Sequence, residues 1–68
     1  MLEKGKGISR DEFVEILMQK KDRGNECILN TMKGTYYGRI ISVGFDKVSI
    51  NQEGKVYTVE IDDILEVQ

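Results

Sequence analysis

YYGRIISVGFDKVSINQEGKVYTVEIDDILEV, residues 36–67, fills almost half of a 68-residue chain. Apolar and polar residues alternate along it, the period of a strand with one buried face. The alternation breaks at Gly44, at the turn sequence QEGK and at Asp62-Asp63. Upstream, ECILNTM (residues 26–32) has the same period and is closed by a tight turn at Lys33-Gly34. Five strands are therefore predicted: ECILNTM, TYYGRIISV, DKVSIN, VYTVEI and ILEV. Val48 and Ile50 share one face of the third. On the fourth, Tyr57, Val59 and Ile61 face one way and Val56, Thr58 and Glu60 the other. Turn-length links without helical crossovers make this an antiparallel meander. Gly38 lies inside the second strand, where a glycine marks a bend, a bulge or a close backbone approach. A bent second strand can pair on both sides of a small barrel.

The preceding segment has a different period. Ser9 and Glu12 stand three apart, the spacing of a capping box, with Ile8 and Phe13 at the positions of a hydrophobic staple. The box has Ser9 accepting from the Glu12 amide and the glutamate reaching back to the Ser9 amide. Asp11 and Glu12 suit the positive end of a helix dipole, and Lys20, Lys21 and Arg23 the negative end. Gly24 suits the left-handed turn that ends a helix. A helix over residues 9–24 is predicted, preceded by a flexible leader over 1–8 and followed by strands over 26–68 in one domain. Phe13, Val14, Ile16, Leu17 and Met18 cover an arc of about 200°, wider than the stripe of about 100° that one buried face needs. The surplus, Val14 and Met18, meets a second surface: a deep groove of the same domain or a neighbouring subunit.

Composition narrows the chemistry. A chain of this size buries only about 60% of its unfolded surface, and its core supplies roughly 3–5 kcal/mol. Cys27 is the only cysteine and there is no histidine, so an internal disulfide is excluded and a four-ligand zinc site is not expected. Self-association is the remaining way to stabilise so small a unit. No apolar run approaches the ~20 residues of a membrane span. A lone cysteine without an export signal points to the cytoplasm. Ten basic and twelve acidic residues give a net charge of −2, which argues against strong nonspecific nucleic-acid binding. The strand-rich part carries the acidic excess, with Lys33, Arg39, Lys47 and Lys55 against seven carboxylates. No catalytic residue, cofactor or metal ligand set is expected: Cys27 has no activating histidine and reads as a small buried apolar residue. Asp62-Asp63 lacks further oxygen ligands at a useful spacing.

A capped helix followed by five short strands, the second glycine-bearing, resembles the Sm-like family, its Hfq-like branch included. The matching pieces are KGTYYGRI, FDKVSI and VYTVEIDDI, and the pattern covers residues 9–67. The resemblance implies a mainly β protein: an N-terminal helix and a five-stranded, strongly bent antiparallel small barrel. It also implies a ring in which strand four of one copy pairs with strand five of the next. Val14, Met18, Val56, Thr58, Ile64 and Glu66 are then the candidate subunit contacts. The resemblance places RNA bases near the loop before strand three and the link between strands four and five, on Phe45, Asp46, Lys47, Tyr57 and Thr58. Hfq-like proteins usually carry Tyr-Lys-His where this chain has Tyr57, Thr58 and Val59.

Independently of the family, bases of single strands stack on aromatics beside basic groups. Tyr37 and Arg39 share one face of the second strand, and Phe45 precedes Lys47. Two functions stay open. One is a ring-forming Sm-like protein that binds single-stranded RNA. The other is a small-barrel module that docks a protein partner, favoured by the acidic strand half.

Overall fold

The computed structural model describes residues 7–68 and the backbone of Leu2–Glu3. The elements are β1 (Leu2–Glu3), α1 (Arg10–Arg23), β2 (Glu26–Thr31), β3 (Gly34–Val43), β4 (Lys47–Gln52), β5 (Lys55–Glu60), a 3-10 turn (Ile61–Asp63) and β6 (Ile64–Val67). The five predicted strands are β2 to β6.

α1 begins and ends where its local chemistry dictates. The Ser9 hydroxyl accepts from the Glu12 backbone N–H at 3.2 Å. The Glu12 carboxylate accepts from the Ser9 hydroxyl at 3.4 Å, where a reach back to the Ser9 amide was expected. Gly24 takes a left-handed φ of 66° and donates to the Lys21 carbonyl. Phe13 and Leu17 are completely buried, and the helix packs mainly on β3. Each such side chain is worth about 1.5–3 kcal/mol when withdrawn from water. Val14 and Ile16 pack against the same core, so Val14 finds its second surface within the domain, while Met18 stays 43% exposed.

The strands form one sheet in the order β1-β6-β2-β3-β4-β5. This corrects the simple meander: β6 does not pair with β5 but returns to β2, with Leu29 opposite Val67 and Asn30 opposite Glu66. The cause is the 3-10 turn at Ile61–Asp63, which carries the chain off β5. Its entry is tied by the Ile61 N–H to the Asp46 carbonyl and its exit by the Met32 N–H to the Asp63 carbonyl, both 2.9 Å. The turn after β2 is Met32-Lys33, one residue earlier than predicted, because Thr31 pairs with Gly34. The Thr31 hydroxyl holds that turn, donating to the Gly34 carbonyl at 2.7 Å and accepting from the Lys33 N–H at 3.1 Å.

Two bulges shape the sheet. On β3, Ile41 is the extra residue between the pairs Ile40–Ile50 and Ser42–Ser49. On β6, Leu65 is the extra residue between Asn30–Glu66 and Thr31–Ile64. An unpaired residue re-aims the strand and its neighbours' side chains, and both of these aliphatics are about half exposed. Leu29, Ile40, Val48, Ile50, Val59, Ile61, Ile64 and Val67 fill the interior with Phe13 and Leu17.

The flexible leader expected over residues 1–8 is corrected in part. Leu2–Glu3 pair antiparallel with Val67 and Glu66 of β6, and Ile8 packs against the core. Met1 and residues 4–6 lie outside the described residues.

Candidate nucleic-acid interface

The loop joining β3 to β4 presents Phe45. The Gly44 N–H donates to the Lys47 carbonyl at 2.7 Å, which pinches the loop and turns Phe45 outward, 90% exposed. The bond from Ile61 to the Asp46 carbonyl anchors the next residue. The Arg10 guanidinium lies 5.7 Å from the Phe45 ring centroid, while its Nε donates to Asp62 Oδ1 at 3.1 Å. One face of the ring is thus covered by a cation that a carboxylate holds in place. Asp46 and Lys47 are exposed beside it. This is a small aromatic and basic patch on a braced loop, able to stack a base and offer a cation to a phosphate.

Tyr37 and Arg39 lie elsewhere. They project from β3 into a shallow groove of about 370 Å3 shared with Glu26, Ile41 and Glu53. The Tyr37 phenol donates to Glu26, and Arg39 Nη2 lies 4.0 Å from Glu26 Oε1. The hydrogen bond to Glu26, and then that carboxylate's charge, raise the Tyr37 pKa. Glu26 therefore engages both candidate recognition residues and offsets the charge Arg39 would offer a phosphate.

Phe45 and Lys47 mark the start of β4, and the groove abuts its end through Asn51. From Lys47 to Asn51 the strand rises about 13 Å at ~3.3 Å per residue. One chain does not merge the two groups into a single site. Tyr57 is half-buried, its ring centroid 5.2 Å from that of Tyr36, with the Lys55 ammonium 5.3 Å from the ring centroid. Thr58 is exposed on β5, its hydroxyl 3.4 Å from that of Ser49.

The candidate subunit contacts divide in the same way. Val56 is 53% exposed, and Thr58 is exposed beside it along β5. Glu66 is half-buried, and its carboxylate accepts from the Asn30 amide. The Ile64 side chain is fully buried in its own core, and Leu65 is the outward apolar residue of β6. The Leu65 bulge sets that parity. Cys27 is buried, and burial raises its thiol pKa against a smaller opposing influence from Lys20. Among the described residues no group of three His, Cys, Asp or Glu side chains converges to hold a metal, and no helix is long and apolar enough to cross a membrane.

Sequence reasoning missed Arg10 and Glu26. Arg10 meets Phe45 from 35 positions away and Glu26 meets Tyr37 across a strand pair, so neither contact has a local signature. Phe45, with Lys47 two residues on, was the local signal of the loop patch.

A capped helix on a bent antiparallel sheet, with the last strand returned to the first long one, defines the Sm-like fold. The structure is similar to a crystal structure of the pleiotropic translational regulator Hfq, with a TM-score of 0.73 over 79% of this chain and 92% of that one. Sequence identity to it is 22%, so the likeness establishes the fold. No family model matches the sequence, and no curated protein matches it.

Proposed function

We infer that this chain is an Sm-like RNA-binding regulator that works as a ring of identical copies, in the cytoplasm and without a catalytic step or cofactor. The observation that carries this is the structural likeness to Hfq, a translational regulator. Two features support it. The outer edge of β5 has no partner strand among the described residues, since β5 pairs with β4 alone. An open edge seeks a strand, and a closed ring of copies supplies one to every subunit. The second feature is the braced, exposed Phe45 beside Lys47. One such patch is a weak site. Repeated around a ring it becomes a multivalent surface for a single strand, with avidity far above the single-site affinity.

Fluorescence titration with short A-rich and U-rich RNAs, alongside native mass spectrometry, tests this. Micromolar or tighter binding by an assembled species is expected at low salt. A folded sample that binds neither RNA overturns the proposal.

The groove beside Gly38 favours a protein partner as the second function. Glu26 and Glu53 line it together with the exposed Ile41, a mixture that repels phosphate and accepts apolar and basic side chains. A specific protein that co-purifies without nucleic acid supports that function, and abundant nuclease-sensitive material counts against it.

A further inference from the structure

β6 has two edges, and they are filled differently. Along the inner edge, Ile28 and Gln68 exchange N–H to carbonyl bonds, both 2.9 Å. Peptide groups of successive residues in a strand point alternately to either side. With Gln68 committed to β2, the N–H and carbonyl of Val67 point to the outer edge. There the partner of Val67 is Leu2, and that of Glu66 is Glu3. At the far side of the sheet, β5 offers an edge of six residues that no strand pairs among the described residues.

We propose that β1 is an intramolecular latch. It occupies, within one chain, the β6 edge that the β5 edge of a second copy takes on assembly, so assembly displaces Leu2–Glu3. The proposal rests on the ring inferred above and adds a control to it. Among the described residues β1 covers two residues of β6, whereas β5 is long enough to pair along all four. The latch is therefore the shorter ladder. It competes because a tethered segment acts at an effective concentration in the millimolar range. The outcome is a threshold: single chains stay latched when dilute, and exchange β1 for β5 of a neighbour when concentrated.

The parent chain is compared with Leu2→Pro, which removes the backbone donor that faces Val67, and with Leu2→Val, which keeps it. Sedimentation velocity over a concentration series gives the assembly midpoint, and hydrogen exchange at low concentration gives the protection of the Val67 amide. In Leu2→Pro the midpoint falls roughly tenfold and the Val67 amide of the dilute chain exchanges faster, while Leu2→Val matches the parent. A Leu2→Pro chain with an unchanged or higher midpoint overturns the latch and leaves the ring standing. If none of the three chains assembles at any concentration, ring and latch fall together.

Discussion

A β-carbon built on Gly38 would stand 2.0 Å from the Asn51 carbonyl oxygen and 2.8 Å from the Asn51 carbonyl carbon. β3 and β4 therefore touch backbone to backbone at this point, and only a residue without a side chain permits it. The backbone φ of Gly38, 159°, is one that other residues rarely adopt. The contact lies one residue from the pair Arg39–Asn51, where β3 leaves its ladder with β2 behind and follows β4.

Gly38→Ala is expected to cost about 3 kcal/mol or more, combining overpacking against rigid backbone with dihedral strain. A core of this size supplies roughly that much, so the variant is largely unfolded when dilute. Urea denaturation followed by circular dichroism checks this; a midpoint within experimental scatter of the parent refutes the close approach.

Phe45→Ala separates binding from folding. The ring is 90% exposed, so the loss of its contact with Arg10 costs at most about 0.5–1 kcal/mol of stability. RNA affinity falls by about 1–3 kcal/mol if a base stacks there. Thermal melts and RNA titrations on the same preparation read both effects, and an unchanged affinity removes Phe45 from the interface.

Salt dependence of RNA binding is expected to be shallow. Arg39 is engaged by Glu26 and Arg10 by Asp62, so Lys47 is the main cation that the Phe45 patch offers. With about two phosphates neutralised per copy, the slope of log affinity against log salt is about −1.4 for each copy that the strand engages. For an RNA short enough to touch one copy, a slope near −5 would require a basic surface that one copy does not have.

Alkaline pH should destabilise the fold. The ordinary values are 9.0 for the Cys27 thiol and 10.0 for the Tyr37 phenol, and the folded state raises both. The unfolded chain then releases these protons first, and it is favoured as pH rises. The contribution of the two groups is complete below about pH 9 and is lost as pH climbs through the raised values. Urea midpoints at pH 8 and about 10.5 measure the loss. Tyr37→Phe and Cys27→Ala each lose less than the parent over that interval, and an equal drop in all three chains refutes the assignment.

The helix was legible because its limits are set within a few residues. Ser9 and Gly24 act on backbone groups of Glu12 and Lys21, and no distant partner is needed. Strand identity was legible for a similar reason, since alternation along Val48–Ile50 and Val56–Glu60 reflects one wet face and one dry face. Strict alternation back from the buried Val67 would turn Leu65 inward and Ile64 outward, and the structure has the reverse. A bulge inverts the alternation at one residue, and its position depends on how β6 meets β2, not on β6 itself.

Arg10, Phe45 and Asp62 come together from the helix, a loop and the 3-10 turn. Nothing in the neighbourhood of any one of them announces the other two. The same holds for Glu26 with Tyr37 and Arg39, and for Leu2 with Val67. The amino-acid order alone determined the elements of this protein, their approximate limits and most of their inward faces, because caps, turns and alternation are short-range effects. Tertiary structure decided that the last strand returns to the first long one, which edge stays open, and which side chains share a patch. Those outcomes depend on contacts between residues far apart in the chain, where close packing, and not local preference, selects the arrangement.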